Sequence, residues 1–204
     1  MGCRVVTVSR TLAAGGEEVA RAVADELGFR YVDREIIQWA AQKAGVSPGT
    51  IEKVEQSPSL IDRILKHLGN ASSEFGAYHA PAFPPTQEYE SIIGQVLKAT
   101  AAIGDVVIFA HAAGIPLTGS DGLLRVLVTG SPKNRATRHA TRTNQDQTKA
   151  AKAIEESDRE RQSYLERFYG VQRELPSHYD LVLNTDNLPP ATAAELIVNA
   201  TRAI

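Results

Sequence analysis

The chain has 204 residues, 43% of them hydrophobic and 23% charged, a balance that gives one globular domain enough apolar surface for a sizeable core. Its 22 Lys and Arg against 24 Asp and Glu leave a formal charge of −2, too weak a field to hold it on nucleic acid or an anionic membrane. A single cysteine, Cys3, excludes an intrachain disulfide and a cysteine-based zinc site, and the apolar runs fall far short of the roughly 20 residues of a membrane helix. Val6 breaks the pattern for N-terminal myristoylation, and Ser9, Arg10 and Thr11 interrupt any secretory apolar stretch. The expected location is the cytoplasm.

The β-branched run Val5-Val6-Thr7-Val8 predicts a strand apolar on both faces, as in a parallel sheet. A glycine-containing turn, Leu12 to Gly16, leads into a helix on which Val19, Val23 and Leu27 recur every fourth residue, and Gly28 stops it. Phe29 to Val32 is a short second strand. Asp33 then caps a helix carrying Ile36, Ile37, Ala40 and Ala44, and Ser47-Pro48 opens another. From Ser57 to Gln87 the pattern dissolves, and Pro58, Pro81, Pro84 and Pro85 mark a loop-rich insertion, either of the lid or acceptor-binding kind or a divergent surface loop.

Regularity returns at Tyr89, with Ile92, Ile93, Val96, Leu97 and Ile103 on one helical face. Val106 to Phe109 and Leu123 to Val128 are strands. Ser131-Pro132 starts a helix rich in arginine, a longer helix runs from Gln147 to Tyr169, Leu181 to Leu183 is the last strand, and Glu195 to Ala200 lie in a closing helix. Strand and helix alternate throughout, so the prediction is one α/β domain over residues 1–204: a five-stranded parallel sheet with helices on both faces, and ligands beyond the C-terminal strand ends.

Gly15-Gly16 lies between the first strand and the first helix, where backbone N–H groups and the helix dipole can cradle phosphate. A full phosphate loop reads G-x-x-x-x-G-K-[ST], but here Glu17 and Glu18 follow the glycines. Taken alone, the segment is either an anion cradle or a glycine turn whose helix is stabilised by two acids in its first turn. Asp158 and Arg161 are three apart and share a helical face with Ile154 and Leu165, either as a partly buried polar contact or as a surface pair. Arg135, Arg138 and Arg142 share another face, as phosphate cations or as a solvated surface.

The stretch Val6-Thr7-Val8-Ser9-Arg10 through Gly15-Gly16, then Leu27-Gly28-Phe29-Arg30-Tyr31-Val32-Asp33-Arg34-Glu35-Ile36-Ile37, closely resembles the opening of the cytidylate kinase-like family. Ser157-Asp158-Arg159-Glu160-Arg161, Tyr164-Leu165, Phe168-Tyr169-Gly170 and Tyr179 to Thr185 resemble its closing motif. The resemblance implies a three-layer P-loop NTPase-like fold using ATP and Mg²⁺. It implies that Arg10, Ala13, Ala14, Gly15, Gly16, Glu17 and Glu18 surround the donor phosphates. It further implies that Asp33, Arg34, His111, Asp158 and Arg161 border the acceptor nucleotide, and that Arg135, Arg138 and Arg161 are the catalytic cations.

Three departures weaken the match to an active kinase. Ala13 stands for the family's first loop glycine, Glu17 for its basic residue, and Ala110-His111-Ala112 for Gly-Arg-Gly after the middle strand. No metal ligand set is legible, and Asp105 precedes the middle strand instead of ending it. The expected partner is a nucleotide or small molecule, with the oligomeric state undefined. Three functions follow: ATP-dependent phosphoryl transfer to a CMP-like pyrimidine nucleoside monophosphate, a catalytically silent nucleotide- or partner-binding relative, or a kinase for another small acceptor.

Overall fold

A β-branched run with apolar side chains on both faces is stable only inside a sheet, and β1 (Val5–Arg10) occupies the centre of one in the computed structural model of the chain. The structure describes residues 2–33, 87–110 and 112–204, with backbone alone for 87–93. The five strands lie in the order β2 (Arg30–Asp33), β3 (Val106–Phe109), β1, β4 (Leu123–Thr129), β5 (Leu181–Asn184). β1 pairs parallel with β3 and β4, and β4 pairs parallel with β5, so Val6 lies opposite both Val107 and Leu124. The expected five-stranded α/β sheet is present. β1 runs two residues past its β-branched core because Ser9 and Arg10 still find pairing partners in Leu127 and Val128.

The four-residue repeat of the first helix (Gly16–Leu27) buries Val19, Ala20, Val23 and Ala24. They join Val6 and Val8 of β1, Leu124, Val126 and Val128 of β4, and Ala193, Ala194, Ile197 and Val198 of the closing helix (Pro190–Ala203) in one core. Gly28 ends the first helix, its N–H turned back to the Ala24 and Asp25 carbonyls. Ser131 caps the arginine helix (Pro132–Thr143) by accepting from Asn134 N–H, with Pro132 in the first turn. The long helix (Gln147–Tyr169) has the expected ends, and it packs on the arginine helix through Ala136, Ala150 and Ile154. Leu12 and Ala13, from the loop after β1, rest against that small cluster.

The chain divides into two compact units, Met1–Tyr31 with Asp105–Ile204, and Val32–Gly104. In the second unit a helix (Gln87–Ile103) buries Val96, Leu97 and Thr100. The helices expected after Asp33 and at Ser47-Pro48 lie outside the described residues, as does the Pro-rich insertion except Gln87, which opens this helix. Among the described residues no helix is long and apolar enough to cross a membrane.

One ion pair ties the start of β5 to β4. Asp180 accepts from Arg125 through Oδ1 to Nη2 at 2.8 Å and through Oδ2 to Nε at 3.1 Å, and also from the Arg125 backbone N–H at 2.8 Å. The Arg125 side chain holds the Asp180 carboxyl below the usual carboxylate range. A depressed folded-state pKa stabilises the protein above the ordinary carboxylate value, and that contribution fades as the pH falls through the folded value. Asp180 is partly exposed and its pair is screened by solvent, so Asp180→Asn is expected to cost about 0.5–1 kcal/mol at neutral pH and to flatten the loss of stability below pH ~4, measured by urea unfolding across a pH series.

Candidate phosphate-binding site

The loop from Thr11 to Gly16 turns through two left-handed residues, Ala13 at φ 60° and Gly15 at φ 78°. Gly15 is the N-cap of the first helix and lacks a side-chain cap, so the helix start keeps its N–H groups open. Among the described residues no acceptor meets the N–H groups of Gly15, Gly16, Glu17 and Glu18. Gly16 has no room for a side chain, since a Cβ there would lie 2.5 Å from the Cβ of Arg10. Ala13 holds a turn that costs an L-residue about 1–2 kcal/mol. Such strain persists only where the surroundings over-determine it.

The surroundings here are carbonyl clamps. Arg135 donates from Nη1 to the Leu12 carbonyl at 3.4 Å, and Arg138 from Nη1 to the Ala13 carbonyl at 3.3 Å. Thr185 donates from its hydroxyl to the Ala14 carbonyl at 2.9 Å. Three successive loop carbonyls are thus taken by side chains of the arginine helix and of the turn after β5. The open amides border a hollow of about 460 Å³ lined by the loop, Phe109, Arg10, Arg21 and Arg142. Three arginines face two glutamates on that lining, so its balance is positive.

The expected cations differ in what they hold. Arg135, 3% exposed, also donates from Nε to the Gly130 carbonyl at 2.9 Å and bidentately to Asp158 at 2.9 and 2.6 Å. Arg138 donates from Nη1 to the Thr185 hydroxyl at 2.9 Å and from Nη2 to the Thr185 carbonyl at 2.7 Å, with Asp186 at 3.7 Å. A hydrogen bond from Ser131 holds the Asp186 carboxyl below its ordinary range. Arg142 is exposed, lines the hollow and has no described partner.

Asp158 and Arg161 do not pair with each other, although they share a helical face. Arg161 turns to Glu174, from Nε at 2.9 Å and Nη2 at 2.5 Å, and reaches the Ser9 hydroxyl at 3.0 Å and the Tyr179 hydroxyl at 3.3 Å. Burial pulls the Arg161 pKa down, but Glu174 outweighs it and the guanidinium stays charged. Burial and then the Glu174 charge push the Tyr179 hydroxyl well up, and Tyr179 donates to Glu174. Ser9 also accepts the N–H of Ala112, whose φ of 54° is again left-handed. Ala13 and Ala112 both stand where the family pattern has glycine, and both keep a glycine-like backbone.

Asp33 ends β2, while Arg34 and His111 lie outside the described residues. Sequence reasoning missed Arg21, Glu174 and Thr185. Arg21 was findable from its i,i+4 spacing to Glu17 and Thr185 from its place at the end of the Tyr179 to Thr185 motif, whereas Glu174 carries no local signal. Among the described residues no group of three His, Cys, Asp or Glu gathers as a metal site.

A loop with open amides at a helix start, beyond the end of the central strand, is one architecture for binding phosphate. Residues 5–187 match the cytidylate kinase-like family. The chain belongs to it. A cytidylate kinase of Sulfurisphaera tokodaii is 23% identical over 194 residues, covering 95% of this chain and 92% of that one. An uncharacterized protein from Eubacterium ventriosum superposes with a TM-score of 0.68 at 15% identity, covering 98% of this chain and 99% of its own. The shikimate kinase from Acinetobacter baumannii, solved in complex with shikimate, gives a TM-score of 0.52 at 12% identity over 97% and 92% of the two chains. These likenesses establish the P-loop kinase fold for this cytidylate kinase-like chain.

Two outcomes follow for the loop. Ala13→Gly relieves the left-handed strain and is expected to raise stability by about 0.5–1 kcal/mol after the entropy of the unfolded glycine is set against it, read from the denaturation midpoint. Arg135→Met removes every clamp that Arg135 makes and is expected to cost about 2–4 kcal/mol, whereas Arg142→Met stays within about 0.5 kcal/mol. Equal melting of the two variants would mean that Arg135 is not a clamp.

Proposed function

We propose that this protein is an ATP-dependent kinase whose acceptor is a pyrimidine nucleoside monophosphate of the CMP type. The observation that carries the reading is the hollow bordered by the open amides of Gly15, Gly16, Glu17 and Glu18, with positively balanced walls. Family membership supports phosphoryl transfer, and the Sulfurisphaera relative, a cytidylate kinase, favours the CMP-type acceptor. ATP supplies the phosphoryl group, which passes to an acceptor phosphate oxygen as the bond to the ADP oxygen breaks. The chain's own part is positioning and charge: the amides orient the donor phosphates, Arg142 lines the hollow, and Arg138 and Arg161, whose guanidinium groups are held by protein acceptors as that of Arg135 is, add fixed positive charge near the strand ends.

Mg²⁺ in such sites is held by one or two carboxylates together with substrate phosphates, so a dedicated cage is not required. Glu18 fits that role. It lines the hollow at the position where the full phosphate loop has its metal-binding hydroxyl. Arg135 serves the fold of the loop in this reading, with its guanidinium taken by Leu12, Gly130 and Asp158.

Glu17 favours a second reading, a silent relative that binds nucleotide without turnover, because a carboxylate replaces the lysine that grips the terminal phosphates. Purified protein assayed with Mg-ATP against CMP, dCMP and UMP, beside calorimetry of each ligand, separates the two. Under the kinase reading at least one pyrimidine monophosphate turns over, and Arg161→Lys, which keeps the charge opposite Glu174, slows turnover about 100-fold or more. Saturable binding with no product supports the silent relative. Glu17→Lys is expected to tighten ATP binding at least about tenfold. An unchanged affinity would mean that the loop does not hold the phosphates.

A further inference from the structure

A phosphate loop normally carries a cation on the residue after its glycines, and this chain has Glu17 there. Positive charge returns to the same hollow one helical turn later. Arg21 lies on the face of Glu17 and donates to its Oε1 from Nε at 3.2 Å and from Nη2 at 3.1 Å. Both side chains line the hollow, and each is more than half exposed to it and to solvent.

A second restraint acts on the same guanidinium. Arg21 lies over the ring of Tyr31 at 4.2 Å. Tyr31 stacks on Phe109, with ring centroids 6.3 Å apart and 27° between planes, and Phe109 carries Arg10 at 4.6 Å. Two cations therefore sit at the ends of a pair of stacked rings, and both belong to the lining of the phosphate hollow. An arginine held against an aromatic face can still donate from its planar fork, which can grip two phosphate oxygens at once. A lysine could supply the charge from this position but not the fork.

We propose that Arg21 is the cation that meets the terminal phosphates of a nucleoside triphosphate in this hollow, displaced one helical turn from the usual lysine, and that Glu17 and Tyr31 hold it there. The proposal rests on the nucleotide reading above and deepens it. Glu17 then changes meaning: it is the residue that aims the cation, and triphosphate binding transfers the guanidinium from its carboxylate to phosphate oxygens. Glu17→Lys remains tightening under this proposal, because it adds a positive charge beside the same oxygens.

The test is calorimetry of ATP, AMP and inorganic tripolyphosphate on wild type, Arg21→Ala, Arg21→Lys and Arg202→Ala. Arg202 forms an exposed ion pair with Glu26 and does not line the hollow, so it controls for loss of a surface pair. Arg21→Ala is expected to weaken ATP and tripolyphosphate about 10–100-fold while leaving AMP within about twofold, with Arg21→Lys between. Arg202→Ala stays at wild-type values for all three ligands. Melting temperatures within about 3 °C of wild type exclude a folding effect. Wild-type ATP affinity in Arg21→Ala overturns the proposal and leaves the nucleotide reading standing. Equal loss of ATP and AMP also overturns it, because a cation on the terminal phosphates cannot act on AMP. A wild type that binds neither ATP nor tripolyphosphate overturns the nucleotide reading and this proposal with it.

Discussion

The site depends on where the carbonyls of the first loop go. A backbone can point a row of N–H groups at one place only if the matching C=O groups are satisfied elsewhere. Here Leu12, Ala13 and Ala14 give theirs to Arg135, Arg138 and Thr185. That arrangement explains why Ala13 tolerates a left-handed turn, and why the helix start can remain without a side-chain cap. It also explains the heavy use of arginine after β4. Two of the three arginines on that face are spent at least partly on the loop, and Arg142 alone among them makes no bond to a described residue.

The second buried cation, Arg161, belongs to a different arrangement of the same kind. Its guanidinium joins the end of β1 at Ser9 to Glu174 and Tyr179, while Ser9 in turn holds the Ala112 amide. Pairing of this kind offsets the desolvation cost that the buried charge still carries. The strand ends that form the ligand crevice are therefore fixed by two arginine-centred networks, one on the loop after β1 and one on the segment after β3.

Much of this was legible in the sequence because it is local. The β-branched run at Val5, the fourfold repeat from Val19, the Ser131-Pro132 start and the Gln147 to Tyr169 helix each have their signal within a few residues. The glycine pair and the family motifs located the loop. Partnerships over long separations were not legible. Spacing put Asp158 and Arg161 on one face, but it says nothing about competitors from other elements, and Arg135 and Glu174 took one each. The substituted glycines also misled in one respect. A sequence shows Ala13 as a lost glycine, whereas the backbone retains the glycine conformation at a cost borne by its neighbours.

The nature of the Arg135 bonds has a consequence for how this protein can drift over generations. At Leu12 and Gly130 the guanidinium touches main-chain oxygen, which every amino acid possesses, so the hydrogen bonds themselves place no demand on side-chain identity at either position. At Asp158 it touches a carboxylate, which only two residue types supply. Positions 135 and 158 are accordingly bound to vary as a couple, with a double replacement by apolar residues as the readiest escape.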